Sequence, residues 1–114
     1  MINTIDVVRT IKAVLEDKKG EDIDILDISG VSVVADYFVV ASASNINQLT
    51  AMKDETEERL YKEYQISPKN VEGKSGSTWI LLDYGDVIVH LFTREDRAFY
   101  DLERIWKDGK KIEL

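Results

Sequence analysis

The stretch from Trp79 to Phe92, Trp-Ile-Leu-Leu-Asp-Tyr-Gly-Asp-Val-Ile-Val-His-Leu-Phe, constrains the fold more than any other. Two apolar runs flank Gly85-Asp86. A two-residue loop of this kind marks a tight hairpin, because glycine reaches positive φ at little steric cost. That loop fixes the register: Tyr84 opposite Val87, Asp83 opposite Ile88, Leu82 opposite Val89, Leu81 opposite His90, Ile80 opposite Leu91 and Trp79 opposite Phe92. Opposed residues share a face and successive residues alternate. One face then carries Ile80, Leu82, Tyr84, Val87, Val89 and Leu91, a core surface. The other carries Trp79, Leu81, Asp83, Ile88, His90 and Phe92. It is apolar but holds a carboxylate and the single histidine of the chain. Either a helical layer or another protein is expected to cover it.

The flanking sequence supplies the remaining elements. Asn3 or Thr4 can cap a first helix whose apolar stripe is Val7, Val8, Ile11, Val14 and Leu15, with Lys18-Lys19-Gly20 as its stop. Strands follow over Ile23 to Ile28 and Tyr37 to Ser42, joined by a loop around Ser29-Gly30-Val31-Ser32. Ser44, Asn45 and Asn47 are cap candidates for a long helix that runs to about Tyr64 and turns Leu49, Met52, Thr56 and Leu60 inward. Ser67-Pro68 breaks the chain, and a short strand near Val71 precedes the hairpin. Thr93, with Asp96 three residues on, opens a last helix. Its buried stripe is Ala98, Leu102, Ile105 and Trp106, with Phe99 inside and Tyr100 at the rim, and Gly109 ends it. The predicted order is α-β-β-α-β-β-α: an α/β (α+β) fold with three helices on a mixed sheet of four or five strands. Residues 1–109 form one domain, and 110–114 are a tail or a short edge strand.

The inventory for chemistry is thin. Asp22 and Asp24 form an Asp-x-Asp pair at a strand start, where both carboxylates would share a face as a Mg²⁺ site for nucleotidyl transfer requires. A phosphate-cradling Gly-Ser element should stand just upstream of such a pair, but Lys18-Lys19-Gly20-Glu21 stands there. A solvated strand end accounts for the same residues. Asp83 and Asp86 flank the hairpin turn, and a turn-stabilising Asp86 is the simpler reading. His90 has no second histidine or cysteine to share a metal with, so no metal or cofactor is expected. The Gly73–Gly76 loop matches neither a P-loop nor a dinucleotide fingerprint. Trp79 suits a sheet core under a helix as well as an interface anchor.

Charge narrows the partners. The 22 acidic residues exceed the 15 basic ones, giving a net charge of −7. Nucleic acid is therefore not expected as the main ligand, since that binding comes largely from Lys and Arg releasing counterions. A basic protein partner remains compatible. No apolar run approaches the roughly 20 residues of a membrane span, and the N-terminus lacks a signal-peptide layout. A cytoplasmic location is the expectation.

Four segments carry a family resemblance. They are Asp36-Tyr37-Phe38-Val39-Val40-Ala41-Ser42; Glu72-Gly73; Trp79 through Phe92; and Arg97-x-Phe99-Tyr100-x-Leu102-Glu103-x-x-Trp106. Together they closely resemble the ribosomal silencing factor family, also called Iojap-like, over about residues 4 to 108. Asn47-Gln48 departs from the Arg-Gln pair frequent in that family. The resemblance implies a nucleotidyltransferase-like fold without its active site. It also implies a translational repressor that binds ribosomal protein fourteen of the large subunit and blocks small-subunit joining when nutrients run short. A homodimer when free is implied too. Strand alternation then points to Trp79, Leu81 and His90 as the docking face, with Asp36, Tyr37, Asp83 and Asp86 as polar and acidic residues around it. The alternatives are a small metal-dependent nucleotidyltransferase using Asp22 and Asp24, and a dimeric module unrelated to the ribosome.

Overall fold

The computed structural model describes residues 2–73, 76–100 and 109–114, and of residues 98–100 the backbone alone. The elements are α1 (Thr4–Asp17), β1 (Glu21–Asp27), β2 (Tyr37–Ala43), α2 (Ile46–Tyr64), β3 (Asn70–Glu72), β4 (Trp79–Asp83), β5 (Val87–Thr93), α3 (Arg94–Tyr100) and β6 (Lys110–Ile112). The strands form one sheet in the order β3-β4-β5-β2-β1-β6. Among the described residues only the central β2–β5 pair is parallel, with Tyr37 opposite Val87 and Ala43 opposite Thr93. The sheet is mixed, as expected. Its six strands exceed the expected four or five because short strands of three residues each pair onto both edges.

Local chemistry explains the boundaries. The Asn3 side chain accepts from Ile5 N and caps α1, and the side chain of Asn45 accepts from Gln48 N and caps α2. Gln48 also anchors α2 to the end of α1. Its Oε1 accepts from Ser44 N, and its amide donates to the carbonyls of Lys18 and Lys19. At the start of α3, Thr93 Oγ1 accepts from Asp96 N. The expected α3 stripe over Ala98, Leu102, Ile105 and Trp106, the assignments of Phe99 and Tyr100, and the helix end before Gly109 lie outside the described residues.

The main core lies between α1, α2 and one sheet face. Val7, Val8, Ile11 and Leu15 of α1 and Leu49, Met52 and Leu60 of α2 meet Ile25, Val39, Ala41, Ile80, Leu82, Val87, Val89 and Leu91. The hairpin register is the expected one, from Trp79 opposite Phe92 to Asp83 opposite Ile88. Tyr84 N donates to Val87 O across the turn, and Gly85 takes φ +91°.

Gly73 has a stricter requirement. Its φ is +89°, and a Cβ there would collide with the Trp79 carbonyl where β3 hands over to β4. Gly76 has a similar φ of +93° but open space around it. Gly76→Ala should therefore cost about 1 kcal/mol for backbone strain alone, and Gly73→Ala roughly 3 kcal/mol or more. Denaturant titration of both variants measures the difference; equal losses would show that the close approach at Trp79 imposes nothing.

Candidate docking face

Alternation along the strands places Phe38, Val40, Ile88, His90, Phe92, Trp79, Leu81 and Asp83 on the sheet face away from α1 and α2. Four of these side chains form an aromatic array. Phe38 meets His90 edge-on with ring centroids 4.8 Å apart. His90 lies 6.2 Å from Phe92 and 6.4 Å from Trp79. Trp79 stacks on Phe92 at 5.2 Å. Offset and edge-to-face contacts of this kind add to the area buried.

The depth of each residue differs. Phe92 is fully buried and His90 is 6% exposed, whereas Trp79 and Leu81 are half-buried. Trp79 and Leu81, with Glu72 and Gly73, line a depression of about 340 Å³. His90 is thus a member of the expected face, but it supports the surface from beneath rather than presenting itself at it. Burial pushes its pKa down to about 4, so the imidazole is neutral at pH 7.

The surrounding polar residues divide. Asp36 and Asp86 are both exposed and stand together, because the Asp86 carbonyl accepts from Asp36 N at 2.9 Å and Tyr37 N at 3.1 Å. Asp83 is half-buried, and its Oδ1 accepts from Gly85 N at 2.8 Å. Asp83, not Asp86, therefore supplies the carboxylate that braces the turn. Tyr37 does not belong with Trp79. It shares its face with Val39 and Ala41 and packs against the α1–α2 core. Burial, together with Asp27 and Asp36, pushes the Tyr37 phenol up.

The Asp22–Asp24 pair does not sit on a regular strand. The β1–β2 register shifts between Glu21 and Asp24, and Asp22 takes φ +48°. A regular strand would aim the two side chains alike, and the expectation that they share a face rested on that regularity. Asp24 is already matched to cations: Oδ2 accepts from Arg97 Nη2 at 2.8 Å and Oδ1 pairs with Lys111 Nζ at 2.9 Å. Arg97 also donates to Ser42 Oγ at 3.0 Å and to the Asp22 carbonyl. Nearby, Arg94 clamps Glu21 and holds its carboxyl below the usual range. These groups tie α3 and β6 to β1. Among the described residues no three metal-ligating side chains converge.

One exposed feature was not anticipated. Val31, Val33 and Val34 in the β1–β2 loop are 52%, 104% and 71% exposed. The signal was present as three valines outside any predicted strand, but exposure is not written in a loop sequence. No helix among the described residues is long and apolar enough to cross a membrane.

A mixed six-stranded sheet, covered on one face by two helices and showing a half-buried Trp–Leu patch on the other, defines a small α+β protein. The family model described as ribosomal silencing factor during starvation matches residues 2–114. The ribosomal silencing factor RsfS of Bacillus subtilis is 35% identical over 113 residues, covering 99% of this chain and 95% of that protein. Its Halalkalibacterium halodurans counterpart is 36% identical over 100 residues, covering 88% and 85%. A crystal structure of a Chromobacterium violaceum protein superposes with TM-score 0.87 at 30% identity, covering 99% of this chain and 92% of that one. The chain belongs to the ribosomal silencing factor family, whose members are regulatory factors of translation.

Proposed function

We propose that this protein represses translation by docking on ribosomal protein fourteen of the large subunit and occluding the surface where the small subunit joins. The half-exposed Trp79–Leu81 patch carries this reading. It is an apolar centre on a rigid sheet, the form in which a few aromatic anchors supply most of the binding energy. Occlusion needs no reaction, which agrees with Asp24 being held by Arg97 and Lys111 rather than free to bind metal. The exposed Asp36 and Asp86, on a chain of net charge −7, suit approach to a basic ribosomal protein. The Trp79 face also serves the free homodimer, one patch taking two partners in turn.

Sedimentation of the purified protein with ribosomal subunits tests the proposal. The protein should travel with free large subunits and reduce formation of joined ribosomes. Absence from large subunits would remove the reading. Asp36→Asn with Asp86→Asn should slow association and flatten its salt dependence while changing dissociation less. The Debye length falls from about 10 Å at 0.1 M to about 3 Å at 1 M, which screens long-range steering. Binding kinetics at several salt concentrations measure this; an on-rate indifferent to salt would mean that charge has no part in the encounter.

A further inference from the structure

We infer that the β1–β2 loop is a second contact element, which inserts Val33 and Val34 into an apolar recess of the same basic partner protein. This inference rests on the docking reading above and extends the surface to the opposite end of the sheet.

The loop is built rather than loose. Its base is buried, with Ile28 fully enclosed and Ala35 5% exposed. Ile28 N donates to Asp36 O, and both Val31 N and Ser32 N donate to Ile28 O. Val34 N donates to Ser32 Oγ at 3.1 Å, and Asp27 Oδ1 accepts from Ser29 N and Ser29 Oγ. The valines are thus displayed on a braced turn. Pre-ordering of this kind lowers the entropy that a partner must overcome on binding. Isolated exposed apolar residues need no explanation, but three within four positions form a patch.

Two observations select the occupant. The first is continuity: Ile28 and Ala35 pack in one cluster with Leu26, Phe38 and Ile88, against which Leu81 also packs. The base of the loop and the half-buried Leu81 thus rest on one buried layer of side chains, which holds the two in a fixed relation. The second is charge. Asp36 and Asp86 are exposed beside the loop, and Asp27 adjoins its other end. Phosphate-rich surfaces, whether nucleic acid or anionic lipid, are repelled by such a fringe, and a second copy would bring its own carboxylates against it. A basic protein surface with an apolar recess is the complement.

The test is Val33→Thr with Val34→Thr. Threonine keeps the shape and β-branching and removes only the apolar character. The probe is the purified large ribosomal subunit, with wild-type protein in parallel. Affinity should fall about tenfold or more, mainly through faster dissociation. The melting temperature should stay nearly unchanged, because both side chains already face solvent. Wild-type binding with an equally tight double variant would overturn the inference while leaving the docking reading intact. Failure of the wild type itself to bind would remove both. Loss of self-association with undiminished subunit binding would overturn it in favour of a second copy as the occupant.

Discussion

Replacing Trp79 with alanine is expected to weaken association with the large subunit by more than tenfold, corresponding to about 2 kcal/mol or more. The indole is half-buried: it stacks on Phe92 at 5.2 Å and also borders the depression shared with Leu81, Glu72 and Gly73. Truncation removes both contacts, so some stability is lost along with affinity. Trp79→Phe separates the two. A phenyl ring retains the stack on Phe92 and most of the stability, but it leaves much of the depression unfilled, so affinity should recover only in part. Pull-down of ribosomal protein fourteen with both variants, each checked by circular dichroism, gives the answer. Unchanged binding by a folded Trp79→Ala protein would place Trp79 outside the interface.

The second large effect concerns pH. The nitrogens of His90 have no hydrogen-bond partner among the described residues, and burial lowers its pKa from 6.5 to about 4. Between those values the unfolded chain binds a proton that the folded protein does not. Stability is therefore complete above about pH 6.5, falls as the pH drops toward 4, and in total loses on the order of 3 kcal/mol. His90→Phe, which places a third phenyl ring beside Phe38 and Phe92, should abolish this slope. The carboxylates act in a lower window: Asp27, held down by its hydrogen bonds from Ser29, gives up its contribution only as the pH falls below the ordinary aspartate range. Denaturant titrations between pH 7 and pH 5 distinguish the two sources. An identical slope in wild type and variant would assign the acid sensitivity elsewhere.

The parts of the fold written in local pattern were legible from the sequence. A two-residue loop at Gly85-Asp86 together with alternating apolar residues set the register of β4 on β5, and the apolar spacing of α1 named its buried residues. The edge strands were less legible. Asn70–Glu72 is exposed at every position and has no alternation to read. The roles of polar groups were least legible, because their partners lie far away in sequence. Asp24 meets Arg97 and Lys111 only through the assembled sheet. The division of labour between Asp83 and Asp86 depends on which carboxylate reaches Gly85 N. Tyr37 was grouped with Trp79 by motif, whereas its own alternation with Val39 turns it to the opposite face.

The parallel pairing of β2 with β5 has a kinetic consequence. Its partners, such as Phe38 and Ile88, are separated by the whole of α2, β3 and β4. The β1–β2 and β4–β5 pairs can each form from neighbouring segments, but joining them closes a long loop, and that entropy is lost before the contacts repay it. The aromatic array draws Phe38 from one pair and Trp79, His90 and Phe92 from the other, so its fourth ring is added only by this joining. Trp79, His90 and Phe92 can already meet within the β4–β5 hairpin, but the edge-on support that Phe38 gives to His90 is expected only after that long loop has closed, so the sheet's full rigidity beneath the patch is the last property the chain acquires.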